Sequence, residues 1–139
     1  MCLTKRKQDF ELWVEKTPEV INYNTTSLPI AVSVRLDYSL GSLDVLEEHL
    51  ISNFNLETIF LEENKSYFDF SARYVGETFK RNLPHSRWKI NLEDKSHPYY
   101  GLPVITGSPD QRVDYSPYSL IVACLEGNSG KSLRTALKK

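Results

Sequence analysis

Hydrophobic residues recur at helical spacing near the start of the chain. Phe10, Trp13 and Val14 lie at positions i, i+3 and i+4, which places them on one face of a helix over residues 5–16. The residue before a proline avoids the α region, so Pro18 is expected to end this helix. The pattern predicts a first helix whose apolar stripe faces a core.

A second helical stripe follows further along the chain. Leu43, Leu46 and Leu50 share one face, and Ser42 before them is a good N-cap because its hydroxyl can accept a hydrogen bond from a free backbone N–H. Acidic residues near this end, such as Asp44, lie close to the positive end of the helix dipole and stabilise it. We expect a helix that begins at Ser42.

The most continuous helical pattern begins near Asn64 and ends before Pro84. It contains Gly76, and a glycine inside a helix costs about 1 kcal/mol relative to alanine. Close packing of this glycine against another element is the expected reason for its presence. Four residues at positions i, i+4, i+7 and i+11 form one apolar face that we expect in the core: Phe68, Ala72, Val75 and Phe79.

Alternating apolar positions predict strands elsewhere. Branched apolar residues occupy every second position of residues 30–36, the clearest strand pattern in the chain, and the polar residues 22–29 before it are predicted as a turn. Residues 87–93 alternate again, and residues 104–106 form a short third strand. Only a loop joins the last two strands, so we expect them to pair antiparallel. Residues 107–115 are polar and turn-rich.

The end of the chain returns to helix. Ser116 and Pro117 form a helix start, the apolar run that follows stops at Gly127, and residues 132–138 form a short last helix. The order of elements predicts the α+β class, with a small antiparallel sheet of about three strands covered by four to five helices. We expect residues 1–139 to form a single globular domain.

Composition argues against some classes of protein. The chain is 40% hydrophobic and 25% charged, which is ordinary for a folded globular protein. No apolar run approaches the roughly 18 residues of a membrane span, and no apolar stretch follows the basic start, so we expect no membrane contact and a cytoplasmic location. A net charge of −1 provides no basic footprint for nucleic acid. A protein is therefore the favoured partner.

The distribution of charge is more informative than its sum. No Lys or Arg lies between Arg35 and Lys65, whereas seven carboxylates do. Such a stretch is either a solvated face or a surface that steers a basic partner. For the second alternative we select Glu47 and Glu48 as binding residues. The seven are Asp37, Asp44, Glu47, Glu48, Glu57, Glu62 and Glu63.

Tyr99 and Tyr100 form the second candidate binding site. They lie in a loop between His97 and Gly101, and tyrosine presents a large contact area at low entropic cost. Aromatic loops also fill the core of their own protein. Both alternatives stay open at the level of sequence.

Motifs for cofactors and metals are incomplete. Residues 127–132 contain Gly-Lys-Ser, but only two residues separate this triplet from the glycine before it, whereas a phosphate loop needs four. The histidines are isolated from one another and form no metal-binding pair. We therefore expect no cofactor and no metal. The three histidines are His49, His85 and His97.

Two side chains are candidates for catalysis. Cys124 lies in an apolar run, which favours a buried thiol that acts as a small hydrophobe. Glu77 lies on an aromatic-rich helix where burial could raise the pKa of its carboxyl, although an i, i+4 ion pair with Arg81 is the simpler interpretation. No catalytic residue is assigned from the sequence.

Two stretches, residues 36–47 and 72–82, resemble a pattern found in small uncharacterised bacterial proteins. In the first, an acidic-aromatic-Ser turn opens a helix. The second carries Tyr-x-Gly-Glu and is followed by a strand with Trp88. The resemblance covers residues 36–92 and implies an α+β fold without catalytic residues to carry over. Similar proteins are sometimes immunity or accessory proteins of bacterial toxin systems.

Three functions compete on these grounds. The first is a non-catalytic domain that binds and masks a protein partner, as an immunity-type or accessory protein does, and the partner is expected to be basic. The alternative is a small hydrolase or transferase that uses Glu77 with a histidine. The third, a nucleic-acid accessory factor that uses the basic ends, is opposed by the net charge of −1.

Overall fold

The computed structural model describes residues 3–107, 114–127 and 132–138. Within these residues, seven α-helices accompany a three-stranded antiparallel sheet, so the predicted α+β class is confirmed, with more helices than the four to five expected. One 3-10 turn, Glu62–Asn64, comes before the longest helix. The helices are α1 Leu3–Glu15, α2 Thr17–Thr26, α3 Ile30–Ser33, α4 Leu40–Asn53, α5 Lys65–Asn82, α6 Pro117–Gly127 and α7 Ser132–Lys138.

The sheet contains β1 Arg87–Ile90, β2 Pro103–Thr106 and β3 Asp114–Tyr115, in that spatial order. Strands β1 and β2 pair antiparallel, with Trp88 opposite Ile105, as predicted for two strands joined by a loop. Strand β3 lies in the segment that was predicted as turn-rich. Its two residues are too few for an alternating pattern to be detected, since that signal needs about four to eight residues.

The prediction of a strand over residues 30–36 is wrong, because this segment begins with the short helix α3. The backbone N–H of Val34 donates to the carbonyl of Ile30 at 3.1 Å. The side chains of these two residues are 70% and 77% exposed. A strand forms only where a neighbour accepts its hydrogen bonds, and the described sheet is assembled entirely from residues 87–115.

The polar residues 22–29 are helical as far as Thr26, so the predicted turn there is wrong over most of its length. Pro18 ends α1 as expected, but it also lies in the first turn of α2. A proline costs no hydrogen bond at that position because the first N–H groups of a helix have no partner within it. Ile21 of α2 is buried in the core.

The N-cap of helix α4 lies three residues before the predicted one. It is Ser39, whose hydroxyl oxygen accepts a hydrogen bond from the backbone N–H of Ser42 at 3.2 Å. Ser42, the predicted cap, is buried, and its hydroxyl oxygen accepts a hydrogen bond from the hydroxyl of Tyr74 at 2.8 Å. The three predicted leucines of the helix are fully buried, so the apolar stripe is confirmed.

Helix α5 provides the largest part of the core. Ala72, Val75 and Phe79 of the predicted face are fully buried, whereas Phe68 is half-buried at the edge. The core cluster among the described residues also draws side chains from α2, α4, α6, α7, β1 and β2. The prediction of a central amphipathic helix is therefore confirmed, with Phe68 displaced to its margin.

Gly76 lies against the indole ring of Trp88. A Cβ atom at position 76 would lie 2.1 Å from Cη2 and 2.4 Å from Cζ2 of that ring. The ring is held in place because its Nε1 donates a hydrogen bond to Oε2 of Glu77 at 2.7 Å and its edge meets Trp13, with ring centroids 4.9 Å apart. The close approach predicted for Gly76 is confirmed.

We expect Gly76→Ala to destabilise the protein by about 1–3 kcal/mol, because overpacking outweighs a gain in helix propensity of up to about 1 kcal/mol. Chemical denaturation measures this change in the free energy of unfolding. Trp88→Leu should reduce the cost of the alanine when the two substitutions are combined in a double-mutant cycle. A Gly76→Ala variant as stable as the parent would disprove the steric explanation.

The two stretches that carry the resemblance lie against each other. The rings of Tyr38 and Tyr74 are stacked with centroids 5.0 Å apart, and the backbone N–H of Tyr38 donates to the hydroxyl of Tyr74 at 2.9 Å. The side-chain amide of Asn82 donates to the carbonyl of Tyr38 at 3.1 Å. These contacts hold Tyr38 at a φ of +65°, an uncommon backbone region for a bulky residue.

Helices α6 and α7 occupy the predicted segments. Cys124 of α6 is fully buried, and burial together with the charge of Glu47 raises the pKa of its thiol to about 12. The thiol therefore stays protonated, in agreement with the predicted small hydrophobe. Residues 128–131 of the incomplete phosphate-loop pattern lie outside the described residues.

Candidate protein-binding surface

The predicted tyrosine pair lies in the loop between β1 and β2. Gly101 has a φ of +75°, which glycine adopts without strain, and its N–H donates to the carbonyl of Asn91 at 2.9 Å. The backbone N–H of Tyr99 donates to Nδ1 of His97 at 3.0 Å. The loop is closed by its own hydrogen bonds, so it presents its side chains from a defined backbone.

Tyr100 is attached to helix α1. Its hydroxyl accepts a hydrogen bond from Nη1 of Arg6 at 2.7 Å, and the guanidinium carbon lies 5.2 Å from the centroid of its ring. Tyr99 and Tyr100 are both half-buried. Their burial is therefore intermediate between that of an exposed recognition patch and that of side chains that fill the core. Their role in binding stays a prediction.

A cleft of about 420 Å³ opens beside this loop and is called the α1 cleft. Its walls are mainly apolar and aromatic, with the guanidinium of Arg6 and the carboxylate of Asp9 at its edge. Asp9 also pairs with Lys5, with an N–O distance of 3.5 Å. The apolar wall consists of Phe10, Trp13, Ile90, Leu92, Leu102, Pro103 and Tyr118, with Gly101 between them.

A second cleft, of about 460 Å³, lies along helix α6 and is called the α6 cleft. Phe60 forms its outer edge with 62% of its surface exposed, and the ring of Phe60 meets Phe68 edge-on with centroids 5.6 Å apart. The cleft is more apolar than the α1 cleft. It is lined by Phe60, Phe68, Leu102, Tyr118, Ser119, Val122, Ala123 and Glu126.

Leu102 and Tyr118 line both clefts, so the two form neighbouring parts of one surface. The hydroxyl of Tyr118 donates to Oδ1 of Asp69 at 2.5 Å. Burial and this carboxylate both raise the pKa of the Tyr118 hydroxyl, which therefore stays protonated as a donor. This hydrogen bond fixes the orientation of the Tyr118 side chain in the shared wall.

Acidic residues lie in the α6 cleft and in the loop that carries Phe60. Glu126 is the charged residue that lines the cleft. The exposed residues Glu62 and Glu63 follow Phe60 directly after Leu61, and exposed Glu57 precedes it by three positions. Leu56 and Leu61 of the same loop are exposed as well. Apolar and acidic side chains thus alternate on this part of the surface.

Glu47 does not lie on the surface, so its selection as an exposed binding residue is wrong. Its side chain is 0% exposed. One carboxylate oxygen accepts a hydrogen bond from the N–H of Leu133 at 2.9 Å, and the other accepts from the N–H and hydroxyl of Ser132 at 3.1 and 2.8 Å. The first N–H groups of a helix lack partners and attract a carboxylate, so Glu47 joins α4 to the start of α7.

Glu48 is exposed, as its selection requires. It lines a smaller cleft of about 270 Å³ between α3 and α4, called the α3 cleft, which also contains Ala31, Arg35 and His49. Nδ1 of His49 lies 2.7 Å from the hydroxyl of Tyr67, and burial lowers the pKa of His49. Glu48 and the tyrosine loop therefore belong to different clefts.

The predicted partners of Glu77 are corrected. Instead of pairing with Arg81, its carboxylate accepts a hydrogen bond from Trp88 and lies 3.9 Å from Nζ of Lys80. The guanidinium of Arg81 lies over the ring of Tyr38, 3.6 Å from its centroid. The hydrogen bonds described for the histidine side chains lie elsewhere: His49 is bonded with the hydroxyl of Tyr67, and His97 accepts from the backbone N–H of Tyr99.

Sequence reasoning missed the α6 cleft. Helical periodicity predicts Phe68 in the core and gives no role to Phe60 or Tyr118. The available signal was the apolar pair Phe60 and Leu61 beside acidic residues in a loop, since apolar residues that no helix stripe accounts for are candidates for a binding surface.

Comparison with protein-family models, curated proteins and solved structures found no match for this chain. Among the described residues, no three or more His, Cys, Asp or Glu side chains are grouped closely enough to hold a metal ion. No helix in the described part of the chain combines the length and apolarity needed to cross a membrane.

Proposed function

We propose that this chain is a non-catalytic protein-binding domain that masks a partner protein, as an immunity-type or accessory protein does. The observation that carries the proposal is the pair of clefts that share Leu102 and Tyr118, with Phe60 exposed at the edge of the α6 cleft. Apolar surface in water is unfavourable, and contiguous exposed patches of this kind are typical of interaction sites.

The side chains that line these clefts are of the types that contribute to protein binding. Aromatic residues contribute most to protein interfaces because they bury a large area with few rotatable bonds. Tyr118 is fixed by Asp69, and its ring meets Phe68 edge-on with centroids 5.2 Å apart. A partner would therefore meet a surface that needs little ordering on association.

The alternative function, a small hydrolase or transferase, has no observation in its favour. It requires Glu77 beside a histidine, whereas the described contacts of Glu77 are with Trp88 and Lys80. We further expect that the partner is basic and that this protein is bacterial and cytoplasmic.

The proposal is tested by one substitution placed at two sites. Ala123 in the α6 cleft and Ala31 in the α3 cleft are both exposed helical alanines. After a partner has been identified and purified, we expect Ala123→Arg to weaken its binding about tenfold or more, because the apolar cleft would receive a charge. Ala31→Arg should leave the affinity unchanged. Calorimetry measures both, and an assay of the partner's own activity measures masking.

Both variants should keep the stability of the parent within about 0.5 kcal/mol, since both positions are exposed. If Ala31→Arg abolishes binding and Ala123→Arg does not, the binding surface is the α3 cleft. A partner that keeps its full activity when saturated with the parent chain would contradict masking.

A further inference from the structure

We infer that the part of the partner that enters the α6 cleft is a basic amphipathic segment, with apolar side chains inserted and Lys or Arg residues beside them. This inference rests on the proposed function and adds the chemistry of the partner. Two features of the cleft support it: its floor is apolar, and the charged residue that lines it and those that follow Phe60 are acidic.

The floor of the α6 cleft selects for apolar side chains. Phe68, Val122 and the ring of Tyr118 form it, and the cleft volume of about 460 Å³ falls within the range of ordinary ligand pockets. The Tyr118 hydroxyl is already bonded to Asp69. A polar side chain placed on this floor would lose its hydration without a matching bond, whereas an apolar one would remove both surfaces from water.

The acidic residues select for positive charge. Glu126 is the charged residue that lines the cleft, and exposed Glu62 and Glu63 lie two and three positions after Phe60. The loop that bears them contains no Lys or Arg before Lys65 at the start of α5. An acidic segment would be repelled there, whereas Lys and Arg beside the apolar anchors would be steered towards the cleft.

The α1 and α3 clefts, in contrast, are lined by charges of both signs. The α1 cleft places Arg6 beside Asp9, and the α3 cleft places Arg35 beside Glu48. Charge complementarity therefore distinguishes the α6 cleft from both. It also moves the predicted acidic docking surface from Glu47 and Glu48 to Glu126 and to Glu62 and Glu63 of the loop that carries Phe60.

The inference is tested with peptides selected from a random displayed library on the immobilised full chain. Selected peptides should combine apolar residues at helical spacing with Lys or Arg. The synthesised peptides are then titrated by fluorescence anisotropy. We expect the double variant Glu62→Lys/Glu63→Lys to weaken binding about tenfold, and high salt to weaken binding to the parent, because screening acts over about 8 Å at physiological ionic strength.

Glu48→Lys is the matched control, since it reverses an exposed carboxylate in a different cleft and should leave the affinity unchanged. Thermal unfolding verifies that the variants remain folded. Ala123→Arg should abolish peptide binding and thereby locates the peptide in the α6 cleft.

The outcomes distinguish failure of the basic segment from failure of the proposed function. The selected peptides could be neutral or acidic, with binding that Ala123→Arg abolishes and charge reversal leaves unchanged. That result would overturn the basic segment but support the proposed function. A library that yields no peptide sensitive to Ala123→Arg would overturn both. A dimer of the chain that Phe60→Ala dissociates, measured by light scattering, would mean that a second copy covers the cleft, and this also overturns the basic segment.

Discussion

Phe79→Ala is expected to lower the free energy of unfolding by about 3–5 kcal/mol, the usual cost of removing a buried phenylalanine ring. Phe79 is fully buried on α5, and its ring meets Tyr115 of β3 edge-on with centroids 5.0 Å apart. The substitution would remove both the burial of the ring and this contact between helix and sheet. Equilibrium denaturation with urea measures the loss, provided that the transition is two-state.

Phe60→Ala is the matched control, because the same atoms are removed from a side chain that is 62% exposed. It should change the stability far less than Phe79→Ala does, and Phe79→Leu should lie between the two, since it keeps an apolar group in the space. Equal effects at positions 60 and 79 would contradict the described core.

Asp69→Ala is expected to destabilise the protein by about 3 kcal/mol, the lower end of the usual cost of breaking a buried ion pair. Nε of Arg73 donates to Oδ2 of Asp69 at 2.7 Å, and the side chain of Arg73 is 7% exposed, against 28% for Asp69. Without the carboxylate the guanidinium stays buried, with the carbonyl of Trp13 and the hydroxyl of Thr17 as acceptors. Partial access of water to position 69 keeps the expected cost moderate.

Asp9→Ala provides a matched control for the ion pair. Lys5 and Asp9 are also four positions apart on a helix, but their side chains are 60% and 53% exposed. Exposed pairs contribute about 0–1 kcal/mol, so this variant should differ little from the parent. If Asp9→Ala and Asp69→Ala have the same effect on the denaturation midpoint, burial is not the source of the strength of the Asp69–Arg73 pair.

The Asp69 substitution also connects stability with the proposed binding surface. The same carboxylate accepts hydrogen bonds from Nε1 of Trp13 at 3.1 Å and from the hydroxyl of Tyr118. Both aromatic side chains line the α1 cleft, and Tyr118 lines the α6 cleft as well. The network therefore stabilises the fold and at the same time fixes the wall that a partner would contact.

Sequence patterns predicted the helices and strands that depend on residues close to one another in the chain. The face of α5 with Ala72, Val75 and Phe79 followed from helical periodicity, and the pairing of β1 with β2 followed from a connection that is only a loop. The contact at Gly76 was predictable because an interior glycine in a helix is costly unless a neighbour needs the space. The side chain that takes this space, Trp88, was visible only in the fold.

Glu47 shows how a local pattern can be misinterpreted. It was grouped with Glu48 as part of an acidic surface, yet it lies at the position of the α4 stripe between Leu46 and Leu50. Helical spacing thus placed this carboxylate on the inner face. Only the fold supplies the reason that a carboxylate is tolerated there, which is the start of α7, 85 positions away in the chain.

By itself the sequence determined the α+β class, the central helix, the two helices near the end and the hairpin of β1 and β2. The tertiary structure decided the state of residues 30–36, since β-branched residues form a strand only when a sheet edge is available to them. It also decided the partners of Glu47 and Glu77, and it brought Phe60, Phe68 and Tyr118 into one cleft. Long-range contacts of this kind depend on how the elements pack, and periodicity along the chain carries no information about them.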